Sequence, residues 1–379
     1  MKVFLKNFLY LIMPCIIGLS SCKKDIAPVN AKNNETDLED KASHSLKGMH
    51  RIIVHAGSSI QAAVNAAEGN AIIQIEPGVY KEAIIVDKPG IQIVGIGERV
   101  IIQNPDDEDN GITVNDNGDG FVLKNVTVQN FEENGVVLNS VDNFTISHVT
   151  AISNGEYGIF PVHSSHGVIE FCLVKGHSDT GIYVGQSSDV RMVFNSAFEN
   201  VNGLEVENSS NVSVVRNQSF NNVCGILIDL LPGKDVKTSS GILVESNKVF
   251  NNNHVNFGEP GSLESVVPKG LGILVLGADK TTLQGNIVTG NEFAGITVFS
   301  TLVLGALAGI PPQAFADIDP NPDNAKIVGN VVKKNGSAPP SLPIPLPGVD
   351  FLWDGSGTGN CWKNNFFDSS YPSPLPNCN

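Results

Sequence analysis

Three carboxylates and one phenol stand at spacings suited to acid–base chemistry. Glu205 and Glu207 alternate along an apolar segment, so in an extended strand both side chains leave the same face. Asp229 follows Glu207 by 22 residues, and Tyr183 precedes Glu205 by the same interval. If that interval is one turn of a coil, the four are neighbours on adjacent rungs, with carboxyl groups about 5–7 Å apart. Carboxyls so placed can share a proton, hold calcium, or act as acid and base on a sugar. Glu205, Glu207, Asp229 and Tyr183 are therefore the candidate catalytic residues. Tyr157, Phe160, His163 and Asp179, at the preceding turns, are candidates for substrate binding. Like charges side by side cost stability, which weighs for function against the plainer reading of a solvated acidic surface.

The element that positions them is a repeat. Glycine followed by an aliphatic residue recurs at 111, 135, 158, 181, 203, 225, 272 and 295, with early steps of 24, 23, 23, 22 and 22. Two further series keep step with it. One runs Asn125, His148, Cys172, Asn195, Asn217, Asn247, Asn286 and Asn330; the other runs Asn130, Asn154, His177, Asn200, Asn222, Asn252, Asn291 and Asn335. Such a chain winds once per repeat, stacks short parallel strands, and sets asparagines at its corners, where they tolerate left-handed backbone and bond their copies. His148, Cys172 and His177 are read as stand-ins for asparagine, not as ligands or nucleophiles.

Ends and inserts complete this layout. Ser58-Ser59-Ile60-Gln61 has capping-box spacing ahead of good helix formers, giving a helix that seals the N-terminal end. Late steps of 30, 39 and 44 residues place extra chain at about 230–240, 253–271 and 300–325, which should wall one sheet from both edges and leave a groove. Leu227, Leu274, Leu276 and Phe299 are expected on the outer face of that sheet, covered by Leu302–Ile310 as a lid; residues 300–325 also suit a degenerate extra turn.

These features resemble the pectate-lyase-like right-handed parallel β-helix superfamily over most of residues 52–335. The resemblance implies a single all-β solenoid. More narrowly, Tyr157-Gly158-Ile159-Phe160-Pro161-Val162-His163-Ser164 is similar to a group of bacterial parallel β-helix repeat lipoproteins and, distantly, to the mannuronan C5-epimerases. Phe160 stands where the epimerases have an acid and Val162 where they have a histidine, so their chemistry does not carry over. Tyr157 and Pro161 agree, and His163 is one position late.

Lys2, Lys6 and the apolar run to Leu19 have the layout of a signal peptide over residues 1–21. Leu19-Ser20-Ser21-Cys22 resembles a lipobox, which implies lipidation at Cys22 and, with no aspartate after it, sorting to the outer membrane of a bacterial envelope. Residues 22–50 read as a flexible tether, 51–337 as the β-helix, and 338–379 as a Pro-rich loop and C-terminal cover. Cys361 and Cys378 are expected to form a disulfide there.

A net charge of −15 with scattered arginines excludes nucleic acid and weakens a polyanionic sugar. No resident metal site or cofactor is expected, calcium at the carboxylates being the one ion considered. The expected protein is a monomeric envelope lipoprotein that binds or processes polysaccharide in the groove. Whether it is a lyase, hydrolase, epimerase or a binding module stays open, because no lysine or arginine sits on the groove sheet; Lys175 is nearest. The competing reading is a scaffold that docks a partner protein.

Overall fold

The computed structural model describes residues 50–379. The expected signal peptide, Cys22 and nearly all of the tether lie outside the described residues.

Successive strands visit three parallel sheets in rotation, and the sheets hold 12, 11 and 10 strands. The chain is all-β, a right-handed parallel β-helix. Alternation sends one residue of most three-residue strands and two of each long strand inward, and the same positions then stack from turn to turn. In the first sheet Ile73, Ile93, Leu123, Ile146 and Ile169 lie in register, followed by Met192, Val214, Val244, Leu283, Ile327 and finally Trp362. The 11-stranded sheet carries the longer strands β1 (Tyr157–Val162), β2 (Thr180–Gly185), β3 (Asn202–Glu207), β4 (Cys224–Asp229), β5 (Leu271–Leu276) and β6 (Ala294–Phe299).

Two asparagine ladders set the vertical register. Asn195 donates its backbone N–H to Asn217 Oδ1 at 2.8 Å, and Asn217 donates to Asn247 Oδ1 at 2.9 Å, Asn247 to Asn286 at 2.9 Å and Asn286 to Asn330 at 2.9 Å. The second ladder runs from Asn200 through Asn222, Asn252 and Asn291 to Asn335 in the same way. Side-chain amides of the ladders also donate to backbone carbonyls, as Asn195 does to Ile169 at 2.9 Å and Asn217 to Met192 at 3.0 Å. Cys172 and His177 occupy ladder slots: their backbone N–H groups donate to Asn195 and Asn200. The His177 ring contacts two carbonyls, and burial pushes its pKa down to about 4, so it stays neutral.

Asn125, His148 and Asn130 do not belong to these slots. Register places them one residue early, at exposed corners with φ of 56°, 56° and 64°, while Val126, Val149 and Phe131 fill the buried positions. The corner work is thus divided. The residue before the ladder takes the left-handed backbone, as Phe194, Glu199 and Arg216 also do, and the ladder residue supplies the hydrogen bonds. A glycine opens the long strands because the next turn approaches too closely for a side chain. A Cβ at Gly225 would lie 2.6 Å from the Gly272 oxygen and 2.7 Å from Asn252 Nδ2.

Helix α1 (Ile60–Ala66) seals the N-terminal end with Ile60, Ala63 and Val64 buried. Ser59, not Ser58, is its N-cap, and the reciprocal partner comes from the following turn: Glu82 accepts from the Ile60 and Gln61 N–H groups at 2.6 and 3.1 Å. Lys88 Nζ donates to the Asn65 and Ala67 carbonyls at 2.8 and 2.9 Å, so each end of the helix meets the charge its dipole favours.

At the other end the solenoid passes the expected boundary at 337. Val349–Trp353 pairs with β6, and Cys361–Lys363 extends the first sheet, which makes the Pro-rich loop an insert within a further turn. Cys361 and Cys378 are joined by a disulfide. The tail it holds lies along the last strand: Trp362 N–H donates to Pro376 O at 2.8 Å, and Cys378 N–H to Trp362 O at 3.3 Å.

Replacing a ladder residue should cost far more than replacing its surface neighbour. Asn217→Ala orphans the Asn195 N–H and the Met192 carbonyl, and is expected to lose about 2–4 kcal/mol in urea unfolding. Gln218→Ala, on the solvent side, should stay within about 0.5 kcal/mol, and equal losses would count against the ladder as the register device.

Candidate functional site

Strand register sets the candidate residues side by side. Tyr183 lies opposite Glu205, and Glu207 opposite Asp229. One ligand atom from each of Glu205, Glu207 and Asp229 lies within 4.8 Å of the others. They do not line an open groove, however. Side-by-side packing of the inserts leaves Glu205, Glu207 and Asp229 only 3%, 4% and 1% exposed, with Tyr183 at 3%, so the solvated-surface reading is wrong.

Three segments bury them. The first insert leaves β4 through Leu230 and Leu231 and is tied down by Asn208, which accepts from Leu231 N–H at 2.7 Å and donates to the Val236 carbonyl at 2.6 Å. The second insert brings Glu259, Ser262, Leu263 and Glu264 in from the opposite edge. The third forms helix α2 (Thr301–Ala308), capped by Ser300 and ended by Gly309 in left-handed backbone. It is a lid, with no added strand between β6 and Lys326. Beneath it Leu227, Leu274, Leu276 and Phe299 join Leu304 in a second apolar cluster, which is why they leave the outer face of the sheet yet are buried.

Each acid has its own partners. Thr180 Oγ1 donates to Glu205, and Asn202 Nδ2 does so at 3.2 Å. Glu207 Oε1 accepts from Tyr183 OH at 2.9 Å and from Lys234 Nζ, also at 2.9 Å. Tyr183 reaches it because Gly185 has no side chain: a Cβ there would meet the phenol oxygen at 2.0 Å. Asp229 Oδ1 is buried and has no hydrogen-bond partner among the described residues.

Burial, then Asp229, pushes the Glu205 carboxyl well above its usual range; burial, then Glu207, does the same to Asp229. Asp179, hydrogen-bonded to Thr180 at 2.9 Å and to Tyr157, is raised by burial and by Glu264. These three favour the neutral acid. Burial also raises Tyr157 and Tyr183, so both remain donors. Burial opposes the Lys234 charge, but Glu207, with Asp229 and Glu205 behind it, holds the ammonium above the ordinary lysine range.

What remains open to solvent is a cleft of about 310 Å³, lined by Glu156, Tyr157, Ser178, Asp179, Glu207, Leu231, Lys234 and the second insert. Of the sequence candidates, Tyr157, Asp179 and Glu207 reach it, while Glu205, Asp229 and Tyr183 support it from below. Phe160 stacks on Tyr183 at 4.7 Å, and Tyr157 lies tilted to Phe160 at 4.5 Å and edge-on to Tyr183 at 5.2 Å, so these rings pack on one another and offer no open platform. His163 sits at a left-handed corner, 3.8 Å from Asp235 on the first insert, outside the cleft. Lys234 is the residue that strand-based reasoning missed, because it lies in an insert; Lys175 is on another sheet, 3.8 Å from Glu199.

Calcium takes about six to eight oxygens, and the three gathered carboxylates are the group among the described residues that could offer them. Glu205 Oε2 and Glu207 Oε1 each already accept two donors, and one of those donors is an ammonium.

A family model described as "Right handed beta helix region" matches residues 89–234. Among solved structures, the A-module of the Azotobacter vinelandii mannuronan C-5 epimerase AlgE4 is similar with a TM-score of 0.59 at 16% identity, over 83% of this chain and 93% of that one. The A-module of the epimerase AlgE6 from the same organism gives 0.58 at 15% identity, over 82% and 86%. A mutant of the periplasmic alginate epimerase AlgG gives 0.50 at 14%, over 88% and 89%. No curated protein matches this chain in sequence. At these identities the likeness is one of fold.

The buried acids give stability a defined pH dependence. Their native pKa values exceed those of the unfolded chain, so the native state holds extra protons, and their contribution is largest at low pH and declines as pH rises above about 4. Glu205→Gln and Asp229→Asn are each expected to stabilise the fold by about 1–3 kcal/mol at pH 8 and to flatten this decline. Thermal unfolding from pH 5 to 9 checks it; variants that unfold earlier than the parent at pH 8 would contradict it.

Proposed function

We propose that the protein binds a neutral or amino-bearing glycan in the cleft beside Tyr157, Asp179, Glu207 and Lys234, and hydrolyses it there. The observation that carries this reading is the meeting of two unlike acids on one cleft. Asp179 is buried and favours its proton, and Glu207 is held in an ion pair by Lys234. Glycoside hydrolysis needs such a pair: one carboxyl protonates the leaving oxygen as the C–O bond breaks, and the other serves the attacking water or the developing cation. Tyr183 and Lys234 position Glu207, and Thr180 and Tyr157 position Asp179.

Charge argues against a polyuronate. Glu156, Glu207, Glu259 and Glu264 face the cleft with Lys234 as its one cation among the described residues, so a chain of carboxylates would meet like charge. This agrees with the scarcity of arginine in the sequence. The reaction proposed needs two carboxyls and a water, and no metal enters it.

Scaffolding of a partner protein has less support. Phe171 and Phe194 are exposed on the outer surface, but they stack on each other at 5.2 Å and Arg216 covers Phe194.

The envelope address is part of the proposal: a signal peptide over 1–21, a lipid on Cys22 and an outer-membrane location for a monomer. Palmitate labelling lost in Cys22→Ala would support it, and labelling that persists would refute it.

A screen of neutral, amino-bearing and acidic polysaccharides against the full chain tests the function. Asp179→Asn is expected to lower turnover by about 10²–10⁴-fold, as loss of a positioned acid does. Lys234→Ala should raise KM and lower kcat, and EDTA should change neither. Unchanged turnover in Asp179→Asn, or activity confined to polyuronates, would overturn the reading.

A further inference from the structure

Resting on that reading of the polar cleft, we propose that the glycan carries an apolar substituent, a short acyl or aryl group, seated in a second cleft alongside. This neighbour has about 320 Å³ and is lined by Leu231, Leu263, Leu304, Ile310, Ala314 and Phe315, together with Pro232, Gly233, Gly305 and Lys234. Leu231, Lys234 and Leu263 line both clefts. Lys234 is the boundary: its ammonium turns to Glu207 on the polar side, which leaves its alkyl stem to the apolar side.

The apolar cleft is built, not left over. The first and third inserts are tied across it by Lys237 to Asp317 at 2.6 Å, Gly233 N–H to Asp317 at 3.1 Å, and Thr301 Oγ1 to the Leu230 carbonyl at 2.9 Å. Phe315 packs against Gly305, where a Cβ would meet its ring at 2.5 Å. The same helix closes well elsewhere: on its other side Leu274, Phe299, Val303, Leu307 and Leu346 leave only about 30 Å³. The chain thus fills one flank of α2 with its own side chains and leaves the other open beside the acids. Apolar walls facing water are a cost that an apolar ligand group removes. A ligand covering both clefts needs hydroxyls or an amine at one end and a water-avoiding group at the other.

Calorimetric titration of the full chain with methyl, butyl, hexyl and octyl β-glucosides, below their micelle concentrations, and with phenyl β-glucoside reads the proposal. An unsubstituted neutral oligosaccharide panel is run beside them. Affinity should rise about two- to four-fold per added methylene, and the stronger of the alkyl and phenyl arms names the substituent. Ala314→Phe, which fills the cleft from an exposed position, and Ile310→Asp should both flatten the series with thermal unfolding unchanged. A flat series in the parent chain, or one that survives both variants, overturns the inference; if unsubstituted oligosaccharides still bind, the function proposed above stands without it. A steep series lost in the variants but indifferent to Lys234→Ala, with no oligosaccharide bound, overturns the proposed function and the sugar half of this inference together.

Discussion

A side-chain amide that accepts the backbone N–H of the turn before it is the contact on which the rest of this molecule depends. At each corner the chain leaves one sheet for the next, and a bend there would strand buried N–H and C=O groups away from water. At two of the three corners the asparagine ladders satisfy those groups and fix the height of each turn, and at the third serine hydroxyls accept the backbone N–H of the turn before. Because the bond joins slots and not sequence intervals, it is indifferent to how much chain intervenes. Asn217, Asn247, Asn286 and Asn330 are 30, 39 and 44 residues apart, yet their contacts repeat within about 0.1 Å.

That rigidity imposes the chemistry of the acidic cluster. Register leaves Glu207 opposite Asp229 and Glu205 opposite Tyr183, with no freedom for the carboxyls to separate. Covered by the inserts, they cannot all be ionised in a space of low dielectric. Burial and like charge favour the neutral form of Glu205, Asp229 and Asp179, while Thr180 and Tyr183 supply hydroxyl donors and Lys234 an ammonium. The pKa displacement therefore follows from strand spacing plus insert packing.

What the sequence disclosed follows the same division. Whatever repeats was legible: the solenoid, the ladder from Asn195 onward, the outward row containing Tyr183, Glu205, Glu207 and Asp229, and the cover of Leu302–Ile310 over Leu274 and Phe299. The 24-residue steps before Asn154 and Cys172 hid a one-residue slip, because asparagine and histidine suit both the left-handed corner and the ladder slot beside it, so residue type could not separate them. Inserts have no period, so neither the entry of Lys234 nor the closing of the groove to a cleft was readable. The same holds for the turn at Val349–Trp353, which a long Pro-rich loop separates from its predecessor.

The C-terminal tail bears on a hazard general to stacked strands. The strand Cys361–Lys363 lies at the edge of the first sheet, and among the described residues no further strand pairs along its outer side. Such an edge is a template on which another chain can grow. The tail held by the Cys361–Cys378 bridge occupies part of that template through Trp362 and Pro376. It stands where the strand of a further turn, or of another chain, would otherwise pair, and so takes up hydrogen-bonding positions that a stacked geometry offers at its end.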